Sequence, residues 1–185
     1  MVHFLLNHGA NVHTSDFAGW TSLQLASCKG DLETVLLLLE HGADANTRDN
    51  SNWTPMHCAS RWTPLHCASR RGHRDVVQVL LDRGVDANAR DNNNWTPLHC
   101  ASQQAHLIVV TELLRYHADV NPRGDGDQTP LHLASQASHL GIVELLVKSG
   151  ADIHVRNDEG RTPFEEASVE YRDIMEFTYT VPYKQ

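Results

Sequence analysis

Two kinds of apolar segment alternate along the chain, separated by polar turns. The first kind is short and opens on a threonine: Thr21-Ser22-Leu23-Gln24-Leu25-Ala26, Thr63-Pro64-Leu65-His66-Cys67-Ala68, Thr129-Pro130-Leu131-His132-Leu133-Ala134. Threonine before proline has the form of an N-cap followed by the first helical residue. Its hydroxyl accepts from an early backbone N–H, and proline's missing donor is not needed there. Leu and Ala then cover one face of a short helix. The second kind is longer and more apolar, as in Leu32-Glu33-Thr34-Val35-Leu36-Leu37-Leu38-Leu39 and Arg74-Asp75-Val76-Val77-Gln78-Val79-Leu80-Leu81. It has more apolar positions than one amphipathic stripe, the pattern of a helix buried between neighbours. Gly42, Gly84 and Gly150 follow these segments where a helix C-terminus favours left-handed backbone, and His117 stands at that place in one copy.

The helix-opening threonines are Thr21, Thr54, Thr63, Thr96, Thr129 and Thr162, spaced by 33, 9, 33, 33 and 33 residues. A fixed period of this size is the signature of a repeat architecture. Between repeats run polar turns ending on Gly19, Asn52, Asn94, Asp127 and Gly160, residue types that tolerate positive φ, so each predicts a tight hairpin tip.

The period and the Thr-Pro-Leu-His-x-Ala motif, best kept at Thr63–Ala68, Thr96–Ala101 and Thr129–Ala134, resemble the ankyrin repeat over nearly the whole chain. The resemblance implies an all-α repeat fold, an ankyrin-type solenoid of helix-turn-helix units joined by β-hairpin-like loops. It also implies that hairpins and first helices line a concave face. The expected units are a partial repeat at 1–14, repeats at 15–47, 48–90, 91–123 and 124–156, a capping repeat at 157–178 and a tail at 179–185.

Two departures stand out. Met1 falls inside a second helix, so the first residues read as the remnant of a repeat, with a frayed, sticky end and a natural chain that extends further upstream. The other is a direct duplication, residues 53–61 followed by 62–70, the first copy in phase with the upstream repeats and the second with those downstream. One helix cannot absorb both. Pro64 would remove the bond to the Ser60 carbonyl, and nine residues rotate a helix by about 180°. The second copy is expected to dock and the first to be extruded. At the other end, Glu165, Glu166 and Glu170 make the last first helix polar, as a terminal cap should be, and Tyr171 replaces the glycine between its helices.

Charge narrows the partners. Fifteen Lys and Arg against 23 Asp and Glu give a net charge of −8, which lacks the basic footprint of a nucleic-acid binder. No apolar run has the length of a membrane span, and the N-terminal residues lack the form of a secretory signal. Four cysteines in 185 residues do not make a disulfide framework. The expectation is a reducing, intracellular setting, cytoplasmic or nuclear.

Candidate chemistry is sparse. The pairs His57-Cys58, His66-Cys67 and His99-Cys100 suggest metal ligands, but neighbours on a helix point about 100° apart and successive copies are a repeat away. The histidine belongs to the repeat motif, and the cysteine takes the slot of Leu25 and Leu133 as a small core residue. No metal or cofactor is expected. Cys28 is placed in the loop between helices as an exposed thiol. No His is positioned by sequence to activate it, so it is read as having no redox or nucleophilic role. Asn52-Trp53-Thr54 and Asn94-Trp95-Thr96 match a glycosylation sequon already explained by the turns. Asn46, Asn121 and, less closely, Asn88 match a position at which the resemblance implies possible hydroxylation. No phosphate loop or nucleophile elbow is present, so the reading is a scaffold or adaptor rather than an enzyme.

The resemblance places partner contacts at the hairpin tips, before the threonine, and at the end of the first helix. Carried over, these are Phe17, Trp20, Lys29, Trp53, Trp62, Arg70, Arg71, Trp95, Gln103 and Gln104. Trp and Arg are enriched at binding hot spots, which points to a protein partner with an apolar, partly acidic element. Each Trp equally suits a second role, covering its own hairpin stem, and both stay open. The oligomeric expectation is a monomer or part of a larger polypeptide.

Overall fold

The structure, a computed structural model, describes residues 1–48 and 62–168. Ten α-helices lie in that part: α1 (Val2–Asn7), α2 (Ser22–Lys29), α3 (Leu32–Glu40), α4 (Pro64–Arg71), α5 (Arg74–Asp82), α6 (Pro97–Gln103), α7 (Leu107–Arg115), α8 (Pro130–Gln136), α9 (Leu140–Lys148) and α10 (Pro163–Glu166). The β structure among the described residues is an isolated antiparallel bridge, Ser15 to Thr21. The first helices α2, α4, α6, α8 and α10 pack one on the next, and α3, α5, α7 and α9 form a second row. Each of α2, α4, α6 and α8 also packs on the helix that follows it, so the architecture is an all-α solenoid.

Every first helix starts at its threonine. Thr21, Thr63, Thr96, Thr129 and Thr162 are N-caps in extended backbone, each closed by a reciprocal capping box with Gln24, His66, His99, His132 or Glu165. Leu23, Leu65, Leu98, Leu131 and Phe164, two residues past those caps, are all buried. The second helices answer with Leu38, Leu80, Leu113 and Leu146 and, one turn earlier, Val35, Val77, Val110 and Val143, also buried. The core is therefore one continuous layer between two rows of helices, built by a leucine repeated at a fixed place.

The duplication is resolved on one side. The second copy supplies Thr63 as cap and α4 as first helix, with Leu65 and Cys67 at 0% exposure. The first copy, including Trp53, lies outside the described residues, as do Tyr171 and the tail. Backbone expectations hold where they can be read. Gly42, Gly84 and Gly150 have positive φ, and so does His117 at +60°. The hairpin tips Gly19, Asn94, Asp127 and Gly160 do as well.

At the N-terminal end, α1 has no buried residue, and Phe4 and Leu5 are exposed. Leu25 does not join the core as its repeat position predicts. It is 42% exposed, whereas Cys67, Cys100 and Leu133 at the equivalent places are 0 to 3% exposed. The reason is neighbourhood: α4, α6 and α8 each pack between two first helices, whereas among the described residues α2 packs on one, α4.

Candidate functional site

The hairpins and first helices that carry the candidate contact residues are built from three backbone devices that fix where those side chains start. In the hairpins, Asp16, Asp91 and Asn157 each use one side-chain oxygen to accept two backbone N–H bonds, as Asp91 does from Asn93 and Trp95 at 2.8 Å each. Trp20, Trp95, Gln128 and Arg161, each just before a threonine, close their loops through their carbonyls, as Trp95 does to Asp91 N at 2.9 Å. The fingers that open on Asp16, Asp91 and Asn157 are thus braced up to their tips.

The second device joins fingers to helices across repeats. In the second to fourth capping boxes the histidine Nδ1 accepts the threonine N–H, at 3.4 Å in Thr63–His66, 3.0 Å in Thr96–His99 and 3.2 Å in Thr129–His132. A nitrogen that accepts carries no proton, so the proton sits on Nε2. Nε2 donates at 3.1 Å to the carbonyls of Trp95, Gln128 and Arg161, in each case the residue before the next threonine. Gln24 makes the same two contacts with an amide, accepting from Thr21 N at 2.8 Å and donating to the Trp62 carbonyl at 2.6 Å. Burial holds all three histidines below the ordinary imidazole value, His99 at about 4, so they are neutral.

A third device escaped the sequence reading. His73, His106 and His139 precede α5, α7 and α9 and donate from Nε2 to the carbonyls of Cys28, Arg70 and Gln103 at 3.0, 3.0 and 3.1 Å. They anchor the last turn of the preceding repeat's first helix. Their 33-residue spacing was the available signal, but the bond spans repeats and no local pattern shows it.

The candidate contact residues fall on this frame unequally. Phe17 is fully exposed at its hairpin tip, and Trp20 is half-buried. Trp62 is half-buried, donates Nε1–H to Asp91 Oδ2 at 3.1 Å, and carries the Arg70 guanidinium over its ring at 5.1 Å. Trp95 is more committed to the fold. Its ring stacks on His99, its Nε1 is buried without a hydrogen-bond partner, and a Cβ at Gly124 would meet its Cδ1 at 2.6 Å. That close approach explains why glycine replaces the Asp or Asn of the other hairpins. Arg71 and Lys29 are exposed, as is Gln104, while Gln103 is half-buried.

Cys28 and Lys29 close α2, Arg70 and Arg71 close α4, and Gln103 closes α6; they are not loop residues. Cys28 is also half-buried rather than exposed. His66 and His99 spend both ring nitrogens on hydrogen bonds within the stack, so neither has a lone pair free for a metal. Burial pushes the Cys100 thiol up to about 12, which makes it inert at neutral pH.

Family models for ankyrin repeats match this stack from end to end. One, described as ankyrin repeats in three copies, matches residues 1–62 and 60–124, and a second, described as ankyrin repeats in many copies, matches residues 113–167. The chain is an ankyrin-repeat protein. Ankyrin repeats are generally protein–protein interaction modules, and proteins built from them are typically scaffolds rather than enzymes. None of the curated proteins matches this ankyrin chain. Among its described residues no helix is long and apolar enough to cross a membrane.

Proposed function

We propose that this ankyrin stack is an intracellular adaptor that binds one partner protein on the face made by its hairpin tips and first-helix ends. The centre of contact is Trp62, Arg70 and Arg71, flanked by Phe17, Trp20 and Lys29 on one side and Gln103 and Gln104 on the other. Trp53 belongs to the same proposal by sequence. The observation that carries it is the Arg70–Trp62 pair, a guanidinium held over an indole whose N–H is already bound, with Arg71 exposed beside it. A pre-ordered Arg loses little freedom on binding, and its planar fork suits a carboxylate. The partner element is therefore apolar with acidic residues. Trp95 is assigned mainly to holding its hairpin, the second of the two roles open to each Trp.

The test is affinity capture of the partner followed by titration with variants. Arg71→Ala is expected to weaken binding about thirtyfold, the loss of a hot-spot anchor, with helicity unchanged. Asp158→Ala at the far hairpin tip serves as control and is expected to change affinity little. Silent Arg70→Ala and Arg71→Ala variants with intact folds would move the site off this face.

A further inference from the structure

The first 14 residues contain the second helix of a repeat, α1, without a first helix to pair with it. Leu5 stands where Leu38, Leu80, Leu113 and Leu146 stand in the other second helices; those four are 0 to 2% exposed and Leu5 is 49%. Leu25 on α2 is exposed where Cys67, Cys100 and Leu133 are buried. A third place is open as well. The carbonyls of Trp62, Trp95, Gln128 and Arg161 each accept from a Gln or His of the preceding first helix. The Trp20 carbonyl accepts from Asp16 N at 2.9 Å and, among the described residues, from no side chain. In the rest of the stack a first helix packs on the second helix of its own repeat and on the next first helix. By that register the three places border one seat, shaped for a first helix with a histidine three residues past its threonine.

We propose that this seat takes residues 53–61 of a second copy of the chain, so that the protein associates with itself. Those residues are a first-helix motif surplus to the stack. They lie outside the described residues, and in sequence they differ from residues 62–70, the copy that forms α4, only by Met56 in place of Leu65. Thr54 and Pro55 give the helix start, and Met56 and Ala59 give the apolar face. His57 brings the donor for the Trp20 carbonyl, as His66 does for Trp95. A chain cannot fill its own seat. Arg61 is bonded to Trp62, and successive Cα atoms are about 3.8 Å apart. The seat precedes α2 in the row, two helix-packing distances from α4, or about 16–20 Å. The bridges from His66 and His99 also join helix start to helix start, so the first helices run parallel and Arg61 would lie at the far end. A second copy meets neither limit. The contact is heterologous, the motif of one copy on the stack end of another, so it closes as an exchanged pair or continues as a chain. Self-association departs from the monomer expected from sequence.

The seat needs no other protein, so it stands or falls apart from the binding face. Sedimentation velocity of the full chain over a concentration series should show mass rising above that of one copy. Deleting residues 53–61 returns the threonine spacing to 33 throughout, so that variant should stay folded by circular dichroism and become monomeric. Leu25→Glu places a charge at an exposed position of the seat and should also give a folded monomer. Mixing these two variants decides the matter. One keeps the motif and the other keeps the seat, so together they should form a complex that neither forms alone. His57→Ala should weaken association about tenfold, the loss of one hydrogen bond. A full chain that stays monomeric would overturn the proposal, as would a mixture that stays monomeric. Association that survives the deletion would overturn it too, since the apolar ends would then be meeting each other.

Discussion

The N-terminal end and the middle of the stack share one motif and meet different surroundings. Leu25 on α2 and Cys100 on α6 hold the same repeat position, yet the larger and more apolar leucine is 42% exposed and the cysteine 0%. Gln24 and His99 likewise make matching bridges to the next repeat, one with an amide and the other with an imidazole. His41 and Gly42 end α3 in the manner of Arg83 and Gly84 after α5, but Tyr116 and His117 end α7 without glycine. Position in the repeat thus sets direction and geometry, and neighbours on both sides set the energy. A repeat protein is close to a sum of units and interfaces, so removing one interface changes the worth of an unchanged residue.

The sharpest test of that difference is truncation at core and end. Leu98→Ala should cost about 3 kcal/mol, the loss of a fully buried leucine with its cavity. Leu25→Ala should cost about 0.5 kcal/mol, as a surface change does. Urea unfolding followed by circular dichroism measures both, and equal losses would remove the distinction between end and middle.

Acid should separate the same regions. His66, His99 and His132 have pKa values lowered by burial, so the unfolded chain binds protons that the folded one refuses. Their neutral bridges contribute fully above the unfolded value of 6.5, and stability falls as pH drops below it; for His99 the fall ends at about 4. Over that window His99 alone corresponds to a loss of about 3 kcal/mol. Gln24 does not titrate, so the first interface lacks this sensitivity. His99→Gln should keep both bridging bonds, as Gln24 does, and flatten the profile. An unchanged urea-midpoint profile in His99→Gln would place the acid sensitivity elsewhere.

The smallest effect concerns the backbone. His117 has φ of +60° at the helix end where Gly42 and Gly84 sit at +84° and +76°. His117→Gly should raise stability by about 1 kcal/mol and Gly42→His should lower it by a similar amount. A neutral His117→Gly would mean that the histidine's own contacts offset the strain.

Sequence alone was enough for whatever depends on a short stretch of chain. Thr-Pro starts, glycine stops and hairpin tips are local, and each was legible because few residue types satisfy the backbone at that point. The fold class followed from repeating such units at a constant period. Candidate contact residues were legible only as positions in the repeat: Phe17 and Arg71 are exposed, while Trp95 packs against Gly124 and His99. Tertiary structure decided which copy of the duplicated motif forms α4, why Leu25 is left in solvent, and what His73, His106 and His139 do. It also moved Cys28 from a loop to the last turn of α2. These facts share a cause. Each is an interaction between neighbouring repeats, where residues distant in sequence meet across packed helices, and a period along the chain records that such contacts exist without saying which atoms make them.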